Sequence, residues 1–332
     1  MRRLAVLAAS VSLLFAAACG GSGGGDATKG AESSASSAAS ASAAPVGPPA
    51  AVDDLKVTGD AGKKPQVSFP PGTPPATSSA KTIKEGDGDA IKSGDNVVVN
   101  LTAFNWDGKT NAMVGSTYDE GSPQMLKVGD TLPKIIHTAF QNAKVGERFF
   151  AVVAIDSLSP EQLQQAKAQG TDKTASLYVV DVLGTSKTKA AKGEAVKLDI
   201  KGITLENPGG EAAPKLTTKT DVPAPTDLVA KTVIKGDGPK VKSGQAVIVQ
   251  YTGKIWGTDK EFDSSWTRGD PVMFQIGTGK VIKGWDQGLV GVPVGSRVVL
   301  AIPPKLGYGE QGQGEIKGTD TLVFVVDVLE AY

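Results

Sequence analysis

A single cysteine, Cys19, and a single histidine, His137, are all that the 332 residues offer of the two side chains most used in nucleophilic and metal chemistry. One thiol excludes an internal disulfide. One imidazole excludes a Cys/His metal site and leaves the second half of the chain without a Ser-His-Asp triad. Net charge is absent as well: 35 Lys and Arg balance 35 Asp and Glu, so no basic field draws the chain onto nucleic acid. Beyond the first residues no run approaches the ~20 apolar residues of a membrane-crossing helix. No Gly-x-x-x-x-Gly-Lys-Ser/Thr loop occurs, and the glycines do not open a long helix as a dinucleotide-binding loop requires. No cofactor or metal is expected.

The chain begins Met1-Arg2-Arg3 and continues through apolar, small residues over 4–18. This reads as a secretory signal peptide, 1–18, too short to span a bilayer stably. The segment Ala16-Ala17-Ala18-Cys19-Gly20 resembles a bacterial lipobox, in which the new N-terminal cysteine is acylated, although Ala16 stands where leucine is usual. A plain signal peptide cut at the same site would leave a free thiol. A lone exposed thiol is a reactive liability in an exported protein, which favours lipidation of Cys19. Residues 20–51 are almost wholly Gly, Ala, Ser and Pro, too little apolar surface to offset ordering entropy, and read as a flexible tether. The expected location is therefore extracytoplasmic, anchored to the cell membrane by lipid.

An internal repeat sets the architecture. Lys81-Thr82-Ile83-Lys84-Glu85-Gly86-Asp87-Gly88 recurs at Lys231-Thr232-Val233-Ile234-Lys235-Gly236-Asp237-Gly238, and Val179-Val180-Asp181-Val182-Leu183 recurs at Val325-Val326-Asp327-Val328-Leu329. Two homologous domains follow, 52–186 and 200–332, with the Lys/Ala/Thr-rich stretch 187–199 read as a loose hinge. In the second copy Leu322, Phe324, Val326 and Val328 alternate along one strand, and Val247, Val249 and Tyr251 along another. Residues 272–276 and 296–302 are two more strands, and 283–289 is the short helical candidate. The pattern describes an α+β domain, an antiparallel sheet over one helix. In the first copy, 160–170 starts with Pro and ends with Gly, the marks of an inserted helix.

The second copy carries Tyr251-Thr252-Gly253, Glu261-Phe262-Asp263-Ser264-Ser265, Arg268-Gly269, Pro271-Val272-Met273-Phe274, Val281-Ile282-Lys283-Gly284-Trp285, Gly307-Tyr308-Gly309 and Phe324. Over 231–329 this order and spacing resembles the FKBP family of peptidyl-prolyl isomerases. The resemblance implies two FKBP-like domains, each a half-barrel sheet wrapped on a short helix, with a shallow apolar pocket for a proline ring. It implies Trp285 as pocket floor, Tyr251, Phe262, Phe274 and Phe324 as walls, and Val281 and Ile282 as the edge, the Ile282 amide hydrogen-bonding the substrate. Asp263 and Tyr308 become the polar rim and Ile316 a loop contact. Val272 departs from the family's phenylalanine and should widen the edge. Singly, Trp285 reads as core, Asp263 as a turn residue or the partner of Arg268, and Tyr308 as a loop anchor. Their joint register points to the site.

Aligned on the repeat, the first copy has Leu101 for Tyr251, Thr102-Ala103 for Thr252-Gly253 and Ile136 for Trp285, with Tyr118-Asp119 taken as the counterpart of Phe262-Asp263. It is expected to keep the fold without the activity. The resulting expectation is an isomerase acting on Xaa-Pro bonds of unfolded or exported proteins, open to FKBP-directed macrolides. The alternative is a tethered polypeptide-binding, chaperone-like lipoprotein with little turnover.

Overall fold

The computed structural model describes residues 48–332. The signal peptide, Cys19 and most of the tether lie outside the described residues. The described residues form two compact units, one of 48–120 with 126–185, the other of 186–332 with 121–125.

The first unit contains β1 (Lys56–Thr58), β2 (Gln66–Ser68), β3 (Ser79–Lys84), β4 (Asn96–Trp106), β5 (Met113–Ser116), β6 (Gln124–Lys127), α1 (Lys134–Asn142), β7 (Arg148–Val153), α2 (Pro160–Gln169) and β8 (Ala175–Ser186). Its sheet runs β3-β7-β8-β4-β5, with β6 also on β4. The second contains β9 (Glu194–Ala195), β10 (Thr204–Glu206), β11 (Lys215–Thr217), β12 (Val229–Lys235), β13 (Ala246–Ile255), β14 (Glu261–Ser264), β15 (Val272–Gln275), α3 (Lys283–Leu289), β16 (Arg297–Ile302) and β17 (Leu322–Ala331). Its sheet runs β14-β13-β17-β16-β12-β9, with β15 also on β13. The pairings are antiparallel, and the class is α+β, as the strand periodicity and the single short helix imply.

Each sheet is buried on both faces. In β17 the alternate residues Leu322, Phe324, Val326 and Val328 join the core beneath α3 with Trp285 and Leu289. Their neighbours Val323 and Val325 face the opposite way, into a second core with Ile203, Leu216, Val233 and Val299, roofed by the β10–β11 hairpin. The first unit repeats this layering under its β1–β2 hairpin. Such two-sided burial explains why β17 and its counterpart β8 are almost continuously apolar over their middles, dense in β-branched residues that suit a pleated, packed surface.

Two glycines let α3 lie close on the sheet. A Cβ at Gly284 would stand 2.5 Å from Ile302 Cγ2, and one at Gly288 2.7 Å from Leu300 Cδ2. With both positions bare, Trp285 and Leu289, four residues apart on one helix face, turn inward. The insertion α2 starts on a capping box formed by Ser159 and Gln162 and ends on Gly170 in left-handed backbone at φ 68°, as its Pro and Gly imply.

The stretch 187–199 is a correction. Rather than a loose hinge, it is docked on the second unit over much of its length: Ala190 and Ala191 are buried, the Ala191 amide donates to Asp327 Oδ2 at 2.8 Å, and β9 pairs with β12. Composition registers the lysines and small side chains of the stretch and is blind to the main-chain bonds that hold it. Among the described residues no helix is long and apolar enough to cross a membrane.

Candidate active site

The pocket residues meet because three elements of the second unit deliver them to one face. β13 turns Tyr251 inward, β17 does the same for Phe324, and α3 lifts Trp285 beneath both. The rings pack edge to face around the indole: Trp285 to Tyr251, Phe274 and Phe324, each at 5.3 Å between centroids. Phe262 on β14 closes one side, 5.4 Å from Phe324. Edge-on contacts of this kind bring the positive ring edge to the negative face of the neighbour. Tyr251, Trp285 and Phe324 are buried, whereas Phe262, Phe274, Val272, Val281, Ile282 and Tyr308 are partly open. Ile316 is buried against the same cluster, in a turn where its carbonyl and amide pair with Gln313.

Gly253 belongs to this aromatic cluster, in a role the sequence alone left unassigned. A Cβ there would sit 2.7 Å from Phe262 Cζ and 2.8 Å from Phe324 Cε1, so the two rings close over a bare backbone. A glycine inside a strand, flanked by aromatic strands, is the signal that marks it.

The rim is polar. The Tyr251 hydroxyl donates to Asp263 Oδ2. Arg268 donates to Asp263 Oδ1 and to the Tyr251 hydroxyl at 2.9 Å, its guanidinium 5.6 Å from the Tyr251 ring centroid. Arg268 thus braces Asp263 and Tyr251 from an exposed position. Burial first, then the hydrogen bond to Asp263, hold the Tyr251 phenol well above its ordinary value, against the lowering influence of Arg268. Tyr308 is raised by burial and by the Asp263 charge, so both hydroxyls keep their protons at neutral pH. Among the described residues the Tyr308 hydroxyl and the Ile282 amide make no hydrogen bond to protein, and the buried Trp285 Nε1 has no partner.

The same places in the first unit are filled with other side chains. Leu101, Leu126, Ile136 and Tyr178 occupy its helix-side core, and the run β7 to residue 159 sets Ser159, the cap of α2, where the second unit has Tyr308. The counterpart of Phe262-Asp263 is corrected by register. Asp263 faces Gly253 and Gly115 faces Ala103, so Val114-Gly115 holds that place. Tyr118 lies beyond β5, and its hydroxyl is drawn instead to Asp181 Oδ2 at 2.6 Å. His137 is largely buried on α1, its Nδ1 3.6 Å from Asp130 Oδ1.

Comparison with known proteins gives the family. A family model described as FKBP-type peptidyl-prolyl cis-trans isomerase matches residues 238–329, the stretch that holds every pocket residue named above. An FK506-binding protein of Streptomyces anulatus is 42% identical over 134 residues, 40% of this chain and 98% of that protein. A probable FK506-binding protein of Corynebacterium glutamicum is 42% identical over 109 residues, 33% of this chain and 91% of that protein. FK506-binding protein 2 of Dictyostelium discoideum is 52% identical over 91 residues, 27% of this chain and 68% of that protein. With nearly the whole of the Streptomyces relative matched at 42% identity and the aromatic cluster inside the matched stretch, the chain belongs to the FKBP-type peptidyl-prolyl cis-trans isomerases.

Proposed function

We propose that the second unit carries the isomerase activity, that it acts on Xaa-Pro bonds of exported polypeptides, and that the chain works outside the cytoplasm, held to the membrane through acylated Cys19. The observation that carries the catalytic part is the ring of Tyr251, Phe274, Trp285 and Phe324 closed by Phe262, with uncommitted donors at its mouth. The anchoring part rests on the sequence of residues 1–20.

Rotation about an Xaa-Pro bond crosses ~18–20 kcal/mol because amide resonance is lost on the way. No covalent bond forms, so no nucleophile is required. The twisted amide is less polar than the planar one, and a pocket that strips water from it stabilises the twisted state relative to the ground state. Trp285 serves as floor for the proline ring, with Tyr251, Phe262, Phe274 and Phe324 as walls. Val281 and Ile282 form the edge, where the Ile282 amide fixes a substrate carbonyl. Tyr308 donates at the rim, Asp263 orients Tyr251, Arg268 braces Asp263, and Ile316 closes the loop side. Each ~1.4 kcal/mol of preferential stabilisation is tenfold in rate.

The relatives' names make a macrolide of the FK506 type the expected inhibitor of the same pocket. The first unit, with Leu101, Ile136 and Val114 in place of the rings, acts as a spacer or a polypeptide-binding module.

Two measurements test this reading. NMR exchange on an Xaa-Pro peptide should show cis/trans acceleration by the chain, abolished in Trp285→Ala and by a macrolide. No acceleration would leave a tethered polypeptide-binding protein as the better account. Palmitate labelling of the full precursor in a bacterial host should mark the wild type and spare Cys19→Ser; an unlabelled wild type would remove the anchor.

A further inference from the structure

The pocket edge hangs on the loop from β15 to α3. Two of its glycines, Gly277 and Gly279, sit in left-handed backbone at φ 82° and 77°, and one carboxylate collects both amides. Gly277 N donates to Asp286 Oδ1 at 2.6 Å, and Gly279 N donates to Asp286 Oδ2 at 2.8 Å. Asp286 belongs to the first turn of α3, directly after Trp285. The amides of Trp285 and Asp286 in turn donate to the Ile282 carbonyl, at 2.9 and 3.3 Å. The start of the loop is thereby tied to the helix that carries the pocket floor, and the helix start is tied back to Ile282.

We infer that Asp286 is a positioning residue of the isomerase, holding the 277–282 loop so that Val281 and the free Ile282 amide meet the substrate already in place. The inference rests on the reading of Ile282 as a substrate contact.

The physical reason is conformational. Glycines in a loop carry the largest backbone freedom in the chain, and ordering them at the moment of binding would weaken affinity. Two charge-assisted hydrogen bonds to one carboxylate settle that freedom beforehand. A side chain cannot do the same work at Gly277, where a Cβ would lie 2.4 Å from Ser243 Oγ. The unit without the aromatic pocket lacks the clamp. Its loop is one residue shorter, and the helix position of Asp286 is held by His137, whose Nδ1 lies 3.6 Å from Asp130 rather than gathering loop amides.

The test compares the mature full chain with its Asp286→Ala and Asp286→Asn variants. Affinity for an Xaa-Pro peptide is read by NMR titration, turnover by exchange at saturating peptide, and amide hydrogen exchange at Ile282 and at Val326. In Asp286→Ala the affinity should fall about tenfold while turnover of bound peptide stays within about twofold. The Ile282 amide should exchange about tenfold faster with Val326 unchanged, and Asp286→Asn, keeping one acceptor oxygen, should fall between. Equal acceleration at Ile282 and Val326 would reduce Asp286 to general stability and overturn the inference, as would an unchanged affinity beside a binding wild type. A wild-type chain that neither binds nor turns over the peptide overturns the isomerase reading and this inference with it.

Discussion

Arg297 and Asp327 face each other across β16 and β17 and join through two hydrogen bonds, Nε to Oδ1 at 2.5 Å and Nη2 to Oδ2 at 2.7 Å, with both side chains buried. Arg148 and Asp181 repeat the fork in the first unit, both bonds at 2.7 Å. The spare guanidinium hydrogens reach the hairpin layer or its flank: Arg297 Nη1 to Asn207 Oδ1 at 2.9 Å, Arg148 Nη1 to Gly59 O at 2.8 Å and Nη2 to Lys63 O at 2.6 Å. Each pair clasps sheet to hairpin.

Removing one partner leaves a buried charge unpaired. Arg297→Ala or Asp327→Ala should each cost about 3–5 kcal/mol, whereas Arg297→Met combined with Asp327→Leu should cost less than either. Urea unfolding at unchanged m-value measures both. A double variant as unstable as the singles would show that the hairpin tie, not the charge, dominates.

Gly253→Ala forces a methyl against Phe262 and Phe324, both of them pocket walls. The expected stability loss is about 1–3 kcal/mol, with kcat/KM down on the order of tenfold as the walls part. The first unit carries Ala103 in this place without conflict because Val114 replaces the ring; normal activity in Gly253→Ala would mean the walls can shift freely.

Trp285→Ile installs the floor residue of the first unit. Losing the indole should reduce kcat/KM by at least about a hundredfold, equivalent to ~2.7 kcal/mol of transition-state stabilisation, while the domain stays folded by circular dichroism. Activity within a few fold of wild type would remove Trp285 from the site.

Tyr308 and Tyr251 have phenols raised above their ordinary value by burial and by Asp263. A raised folded-state value keeps the neutral form in the fold, so its stability contribution is complete below the unfolded value near 10 and is lost as pH climbs beyond it. Donation from Tyr308 should accordingly hold up through pH 9, with loss of kcat/KM only above about 10, and Tyr308→Phe should lower the plateau about tenfold. A fall in wild-type rate between pH 7 and 9 that Tyr308→Phe abolishes would contradict this.

Much of the fold was legible because period-2 runs of apolar and β-branched residues mark strands even where both faces are buried. Leu322, Phe324, Val326 and Val328 declared their shared side, and 283–289 stood out as the short helix of the second copy. The gathering of Tyr251, Phe262, Phe274, Trp285 and Phe324 followed from an ordered resemblance over a hundred or so residues. Register was not legible where the repeat changes length. Tyr118-Asp119 reads like Phe262-Asp263 as text, yet the β4–β5 ladder gives that place to Val114-Gly115, because cross-strand hydrogen bonds, not side-chain likeness, set which residues oppose. The docking of 187–199 escaped for a similar reason: it depends on main-chain pairing with β12 and on Asp327.

Residue identity and periodicity were enough to read that the chain repeats one α+β unit and which copy keeps the full ring set. Those facts reside in residue identity and periodicity, which are local. The folded chain was needed to see that Gly253 must stay bare, that Arg268 braces Asp263 and Tyr251, and that Asp286 gathers the amides of Gly277 and Gly279. Each of these depends on distances between segments that meet only when the sheet closes on its helix, and steric and hydrogen-bond energies act over those distances, not over sequence separation.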